Sequence, residues 1–229
     1  VLALLPLEDA LTCAAALRAK YLAAFADSGI PTTLSGAVLY AHVRTPLTQL
    51  IQRAHPLLDD EAKAATGRDA LAVEVRKPGG VAATWAMPWA QALAEDGQEV
   101  ELDRLARGLR DANGEAPFAS RFFYALRERF ALLNPGKDDD GAPEAAVLDE
   151  EQAEALVAAE YHGAAAASGV QGITLEQARE TVRPLLAQAR PKVRKTDDEG
   201  NFLTWETESC LKPDAGLIVR FLAQKGAEG

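Results

Sequence analysis

An α+β fold, with a small sheet layered by helices over residues 1–90 and an all-α region over 91–229, is predicted by three features of the 229-residue sequence. In the first part, short apolar runs alternate with helical periodicity. The order strand, helix, strand, helix, hairpin suits crossover connections. From Ala90 onward the apolar spacing becomes helical and stays so. The charge divides at the same place. Of 24 basic and 34 acidic side chains, eight of each fall in the first 90 residues, so the whole net charge of −10 belongs to the remainder. A bulk field of that sign argues against a chain that gathers nucleic acid by net charge, and leaves local basic patches as the route to it.

With 48% apolar and 25% charged residues, the chain has the balance of a folded soluble protein and excludes disorder and collagen-like structure. No apolar run approaches the roughly 18 residues of a membrane span, and no secretory pattern opens the chain, so the expected location is cytoplasmic. Cys13 and Cys210 lack metal-ligand spacing and read as free buried thiols.

The near-continuous apolar run Val1 to Leu7 reads as a buried strand. A buried strand needs neighbours, and none precedes it, so the chain reads as a piece of a longer polypeptide. Glu8 and Asp9 favour a first helical turn, and Leu11, Ala15, Leu22 and Phe25 carry that helix to a stop at Asp27-Ser28-Gly29. Residues 34–43 form a second buried strand. Thr45-Pro46 caps a helix with Leu47, Leu50, Ile51, Ala54, Leu57 and Leu58 on one face, and Pro56 is expected to kink or interrupt it. Ala70 to Val75 alternates as a strand, and Lys77-Pro78-Gly79-Gly80 turns the chain into a partner strand over Val81 to Met87.

In the second region a short segment begins at Leu93. Val100, Leu102, Leu105, Ala106 and Leu109 mark a helix ended by Asn113-Gly114, and Phe118, Phe122, Phe123, Leu126, Phe130 and Leu133 mark an aromatic-rich one. A polar linker over 134–146 follows. Three helices then read as Asp149 to Ser168, Thr174 to Ala189 and Leu217 to Leu222, the second opened by a Thr174/Gln177 capping box. The basic run Arg190 to Lys195, followed at once by Asp197-Asp198-Glu199, reads as a solvated loop.

Four stretches of the first region carry a resemblance. Val1-Leu-Ala-Leu-Leu-Pro-Leu7, Ser35-Gly-Ala-Val-Leu-Tyr-Ala-His-Val-Arg-Thr-Pro-Leu47, Thr66-Gly-Arg-Asp-Ala-Leu-Ala-Val73 and Trp85-Ala-Met-Pro-Trp89 resemble the second palm domain of the large signature subunit of type III-B (Cmr-type) CRISPR effector complexes. The resemblance spans residues 1–90 and implies a partial palm with a ferredoxin-like antiparallel sheet, similar to GGDEF-type nucleotide cyclases. It also implies a Gly-Gly-Asp-Asp hairpin directly before Val1. For the parent subunit it implies ATP binding with Mg2+ or Mn2+ and synthesis of cyclic oligoadenylate once target RNA is bound. The piece alone is then expected to bind no cofactor and to be inactive. The helical region 91–229 has the position of an assembly domain that meets the small helical subunit and lies along guide and target RNA, but it carries no motif of its own, and no membrane partner is expected.

The residues themselves offer limited chemistry. Phosphoryl transfer by a palm needs adjacent acids to hold metal ions. Asp59-Asp60-Glu61 reads as a solvated helix face. Asp138-Asp139-Asp140-Gly141 fails as a calcium loop, because Gly136 and Val147 stand where acids are required. The resemblance assigns nucleotide contacts to Ser35 and Gly36, where backbone approaches the ligand, and to Lys63 and Arg68 at the phosphates. Sheet packing, a surface lysine and an Arg68–Asp69 pair are the plain alternatives. His42 has no nucleophile beside it and reads as structural, and His55 and His162 have no partner. Arg121, Arg127 and Arg129 beside the phenylalanines offer either a nucleic-acid groove or the wet side of a packed helix. Two other functions fit: a structural helical module with a degenerate palm, and another palm-type nucleotide cyclase.

Overall fold

The computed structural model describes residues 1–30, 32–111, 120–134, 148–167, 172–199, 201–208 and 210–225. The Asn113-Gly114 stop, Phe118, the linker from 135 on, and the Asp138–Asp140 run lie outside the described residues.

After one 3₁₀ turn at Leu7–Asp9 come helix α1 (Ala10–Phe25), strand β1 (Gly36–Tyr40) and helix α2 (Leu47–Pro56). Strands β2 (Ala70–Lys77) and β3 (Gly80–Pro88) form the expected hairpin. The α+β class stands, but the sheet is mixed rather than antiparallel: β1 runs parallel to β2, with Gly36 opposite Leu71, and β2 runs antiparallel to β3, with Ala70 opposite Pro88. A helix between β1 and β2 returns the chain to the same end of the sheet, which makes that pair parallel.

Pro56 does not end its helix. The chain continues through it in wider π-helical turns over Leu57–Ala65. Proline removes one donor from the ladder and crowds the carbonyl one turn back, and a wider turn relieves both. The extension buries Leu57 and Ala62 against Ala72 of β2.

Strand alternation sorts the rest. Ala37, Leu39, Ala72 and Ala86 face the α2 layer, whereas Tyr40, Leu71, Val73, Val75, Trp85 and Met87 face a second layer of helices. That layer contains α1 and the helices from Trp89 onward: α3 (Trp89–Ala92), α4 (Glu101–Asp111), α5 (Ser120–Leu133), α6 (Glu150–Ala167), α7 (Leu175–Ala189) and α8 (Asp214–Lys225). One apolar core runs from Leu11 and Val73 through Phe122, Phe130 and Tyr161 to Ile218 and Leu222, across residue 90. The capping box at the start of α7 is present, with Gln177 N–H donating to Thr174 Oγ1 and Thr174 N–H donating to Gln177 Oε1.

Several expectations need correction. Residues 1–6 are irregular and exposed, not a buried strand, since no strand lies beside them among the described residues. The short helix begins at Trp89 and ends before Leu93, whose extended backbone bridges to Val100. The basic run is not a loop: strand β4 (Lys192–Thr196) pairs with strand β5 (Phe202–Thr207), so the region beyond residue 90 also holds a hairpin. Val193, Thr196, Phe202, Thr204 and Trp205 supply the β-branched and aromatic content that favours it. The Asp197 carboxylate accepts from the Glu199 and Asn201 N–H groups and shapes its turn. Both cysteines are free, but half-buried.

Candidate functional site

All four candidate contacts gather at one end of the three-stranded sheet. Ser35 and Gly36 open β1, and Arg68 lies two residues before β2, which pairs with it in parallel. Lys63 sits in the last helical turn, and its carbonyl oxygen accepts both the Gly67 and Arg68 N–H groups. Gly67, Arg68 and Asp69 take positive φ of 76°, 70° and 49° in succession. This left-handed run is costly for Arg68 and Asp69, and is held from both sides. At Gly67 any Cβ would collide with the Arg194 carbonyl of β4, whose N–H also donates to Thr66 O at 2.7 Å.

Asp69 is the post around which this end is built. Its carboxylate pairs with Arg18 of α1 at 3.4 Å, not with Arg68, and its carbonyl accepts the Trp89 N–H at 2.8 Å. The Arg18 guanidinium lies 5.5 Å from the Trp89 ring centroid, and the indole N–H donates to Leu34 O at 2.8 Å. Trp89 thus ties the approach to β1, the start of β2 and α1 together. Gly36 backs onto this ring: a Cβ there would stand 3.7 Å from Trp89 and 3.5 Å from Leu71, ordinary contact distances.

The cations differ in availability. Arg68 is exposed. Lys63 Nζ donates to Asp59 Oδ1 at 2.6 Å one turn back, and that bond holds the Asp59 carboxyl below its ordinary value. The pair is open to solvent, so a phosphate can replace the carboxylate at little cost. Asp59 therefore serves Lys63. Among the described residues no group of three His, Cys, Asp or Glu is placed to hold a metal ion. The acids a palm needs for its metals do not fit any cluster of these residues, and no catalytic step is derived through them.

His42 is exposed, and its Nδ1 accepts from the Arg44 N–H at 3.2 Å in the turn after β1. Arg129 is committed to Glu160 of α6 at 2.7 Å, and the Arg121 side chain lies outside the described residues. Only Arg127 of that trio remains exposed on α5 without a described carboxylate partner.

Local sequence does not mark Arg18 or Trp89 as site residues. Trp89 stood inside a recognised stretch, but Arg18 is one cation on an alanine-rich helix, with no local signal that it reaches 51 residues onward to Asp69. Nor was the Arg53–Glu74 pair apparent. Glu74 is wholly buried in the middle of β2 and accepts from Arg53 Nε at 2.9 Å and Arg76 Nη1 at 3.4 Å. Arg53 donates again through Nη2 at 2.5 Å.

Residues 1–72 match the family model described as Cas10/Cmr2, second palm domain. The matched stretch takes in α1, β1, α2 with its π-helical extension, and the first three residues of β2, and so includes all four candidate contacts. It supports a place in the large subunit of a type III CRISPR effector, working with other subunits of such a complex. No curated protein matches the chain.

Proposed function

We propose that this chain is the later part of the large subunit of a type III-B CRISPR effector complex, contributing one side of an ATP site whose parent makes cyclic oligoadenylate. The observation that carries this reading is the convergence of Ser35, Gly36, Lys63 and Arg68 on one sheet end inside the palm-matching stretch. Backbone at Ser35 and Gly36 lies against adenosine, while Lys63 and Arg68 meet phosphate oxygens by charge-assisted hydrogen bonds. Divalent metal, Mg2+ or Mn2+, when bound by acids outside the described set, offsets charge on the departing pyrophosphate. The chain alone supplies binding groups without those acids and is inactive. Its region 91–229 serves assembly, meeting the small helical subunit and the guide and target RNA.

The test is an ATP titration of the assembled complex in the presence of magnesium. Lys63→Ala with Arg68→Ala removes two charge-assisted contacts and weakens ATP binding by at least about tenfold. Unchanged affinity removes the phosphate assignment.

A further inference from the structure

A groove of about 300 Å³ lies where the β2–β3 hairpin meets α5 and α8. Lys77, Arg127 and Arg220 line it together with Tyr124, over a floor that includes Val81 and Phe221. Among the described lining residues there is no Asp or Glu, in a chain where acids outnumber bases 34 to 24. Several arginines elsewhere are matched by carboxylates: Arg53 and Arg76 by Glu74, Arg104 by Glu101, Arg129 by Glu160, Arg183 by Glu154. Local positive potential persists in this groove because no described lining residue carries the opposite charge.

Tyr124 adds a flat surface. Its side is open, with 52% of the residue exposed, yet the ring is held: Arg220 Nη1 donates to its hydroxyl at 3.0 Å, and the guanidinium lies 4.7 Å from the ring centroid. That hydrogen bond holds the phenol below its ordinary value, and Lys77 and Arg127 push the same way. A fixed, exposed aromatic face beside several cations and an apolar floor matches a stacked base with phosphates on either side. An acidic peptide would use the cations but gain little from the ring.

We infer that this groove binds single-stranded nucleic acid, with a base stacked on Tyr124 and the flanking phosphates on Lys77, Arg127 and Arg220. The groove stands at the Lys77 end of β2, about 23 Å along the strand from Ala70 and the proposed ATP contacts. It does not rest on those contacts, and either assignment survives failure of the other.

Fluorescence anisotropy of the full chain with a labelled 20-nucleotide oligouridylate tests it, in about 50 and 150 mM salt. Lys77→Gln with Arg127→Gln is expected to weaken binding about tenfold and to lower the slope of log affinity against log salt by about 1.4. Tyr124→Ala weakens it about fivefold, whereas Tyr124→Phe, which loses the hydrogen bond from Arg220 but keeps the stacking face, weakens it less than about twofold. Circular dichroism establishes that the variants are folded. Should the double variant misfold, the Tyr124 pair still decides. Absence of binding by the wild type, equal affinity of the Ala and Phe variants, or displacement of RNA by polyglutamate of equal charge would overturn the assignment.

Discussion

On the β3 side of the sheet, Trp85, Met87 and Trp89 are sealed beneath the helical layer, with exposures of 5%, 0% and 1%. On the β1 side, Leu4, Leu5, Leu17, Val43 and Leu47 stand exposed around an open groove of about 540 Å³. Both sides carry large apolar residues in sequence. What differs is the neighbour: β3 has β2 on one edge and α8 and the β4–β5 hairpin packed on it, while β1 pairs only with β2 among the described residues. An apolar pattern states that a segment is to be covered. Topology decides whether it is.

The buried side joins the two regions into one unit, and the largest expected effect breaks that joint. Trp85 packs its ring in the shared core and donates its indole N–H to Gln188 O of α7 at 3.1 Å. Nearby, the Thr84 N–H donates to Asp214 Oδ1 at the start of α8 at 2.8 Å. Trp85→Ala leaves a cavity and an unpaired carbonyl, and costs about 4 kcal/mol. Urea unfolding followed by circular dichroism, a signal dominated by helices, reads the outcome. Sheet and helices that share a core unfold in a single transition, moved as a whole by this substitution. A helical transition left in place would show that the two regions fold separately.

Much of this was legible from sequence because it is local. Helix α1, the Thr174/Gln177 cap and the turn at Lys77-Pro78-Gly79-Gly80 depend on residues a few positions apart. Val1 to Leu7 reads as a strand by pattern, but residues 1–6 are irregular in the structure, because the pattern asks for partners that pattern cannot supply. Arg190 to Lys195 reads as a solvated loop because it holds four charges in six residues, whereas the pairing of Lys192–Thr196 with Phe202–Thr207 and the hold on Thr66 depend on distant chain. The site divides likewise. Ser35, Gly36, Lys63 and Arg68 were named through resemblance, but Arg18, Asp69 and Trp89, which fix the geometry of that sheet end, meet only after folding.

The sheet and the helices also treat charge differently, which the next effect sharpens. Glu74 lies at 0% exposure on β2, where an unpaired carboxylate is expensive. Arg53→Ala removes its strongest partner, leaving Arg76 at 3.4 Å and the Thr84 hydroxyl at 3.3 Å. The expected loss is about 3 kcal/mol in chemical denaturation. Arg53→Leu combined with Glu74→Leu recovers most of it, since an apolar pair of similar volume needs no compensation. A double variant no better than Arg53→Ala would mean that the pair contributes more than relief of its own desolvation.

The smallest effect belongs to the helical counterpart of that pair. Arg183 of α7 donates Nε and Nη2 to the two oxygens of Glu154 on α6, both at 3.0 Å, in a site open to solvent. The hydrogen bond to Arg183 holds the Glu154 carboxyl below its ordinary value of 4.5. A carboxyl depressed on folding stabilises the native state fully above its unfolded pKa, and that contribution fades as pH falls through the lower folded value. Water and salt screen the pair, so its contribution near pH 7 is about 0.5 kcal/mol, a fraction of the Glu74 effect. Glu154→Gln therefore costs about that much at pH 7 and nothing once the pH is well below the folded value, where the wild-type carboxyl is protonated too. About 1 M salt shrinks the difference at pH 7, because screening then acts within a few ångströms. A difference between the two proteins that stayed constant from neutral to strongly acidic pH would assign the effect to packing between α6 and α7 and not to charge.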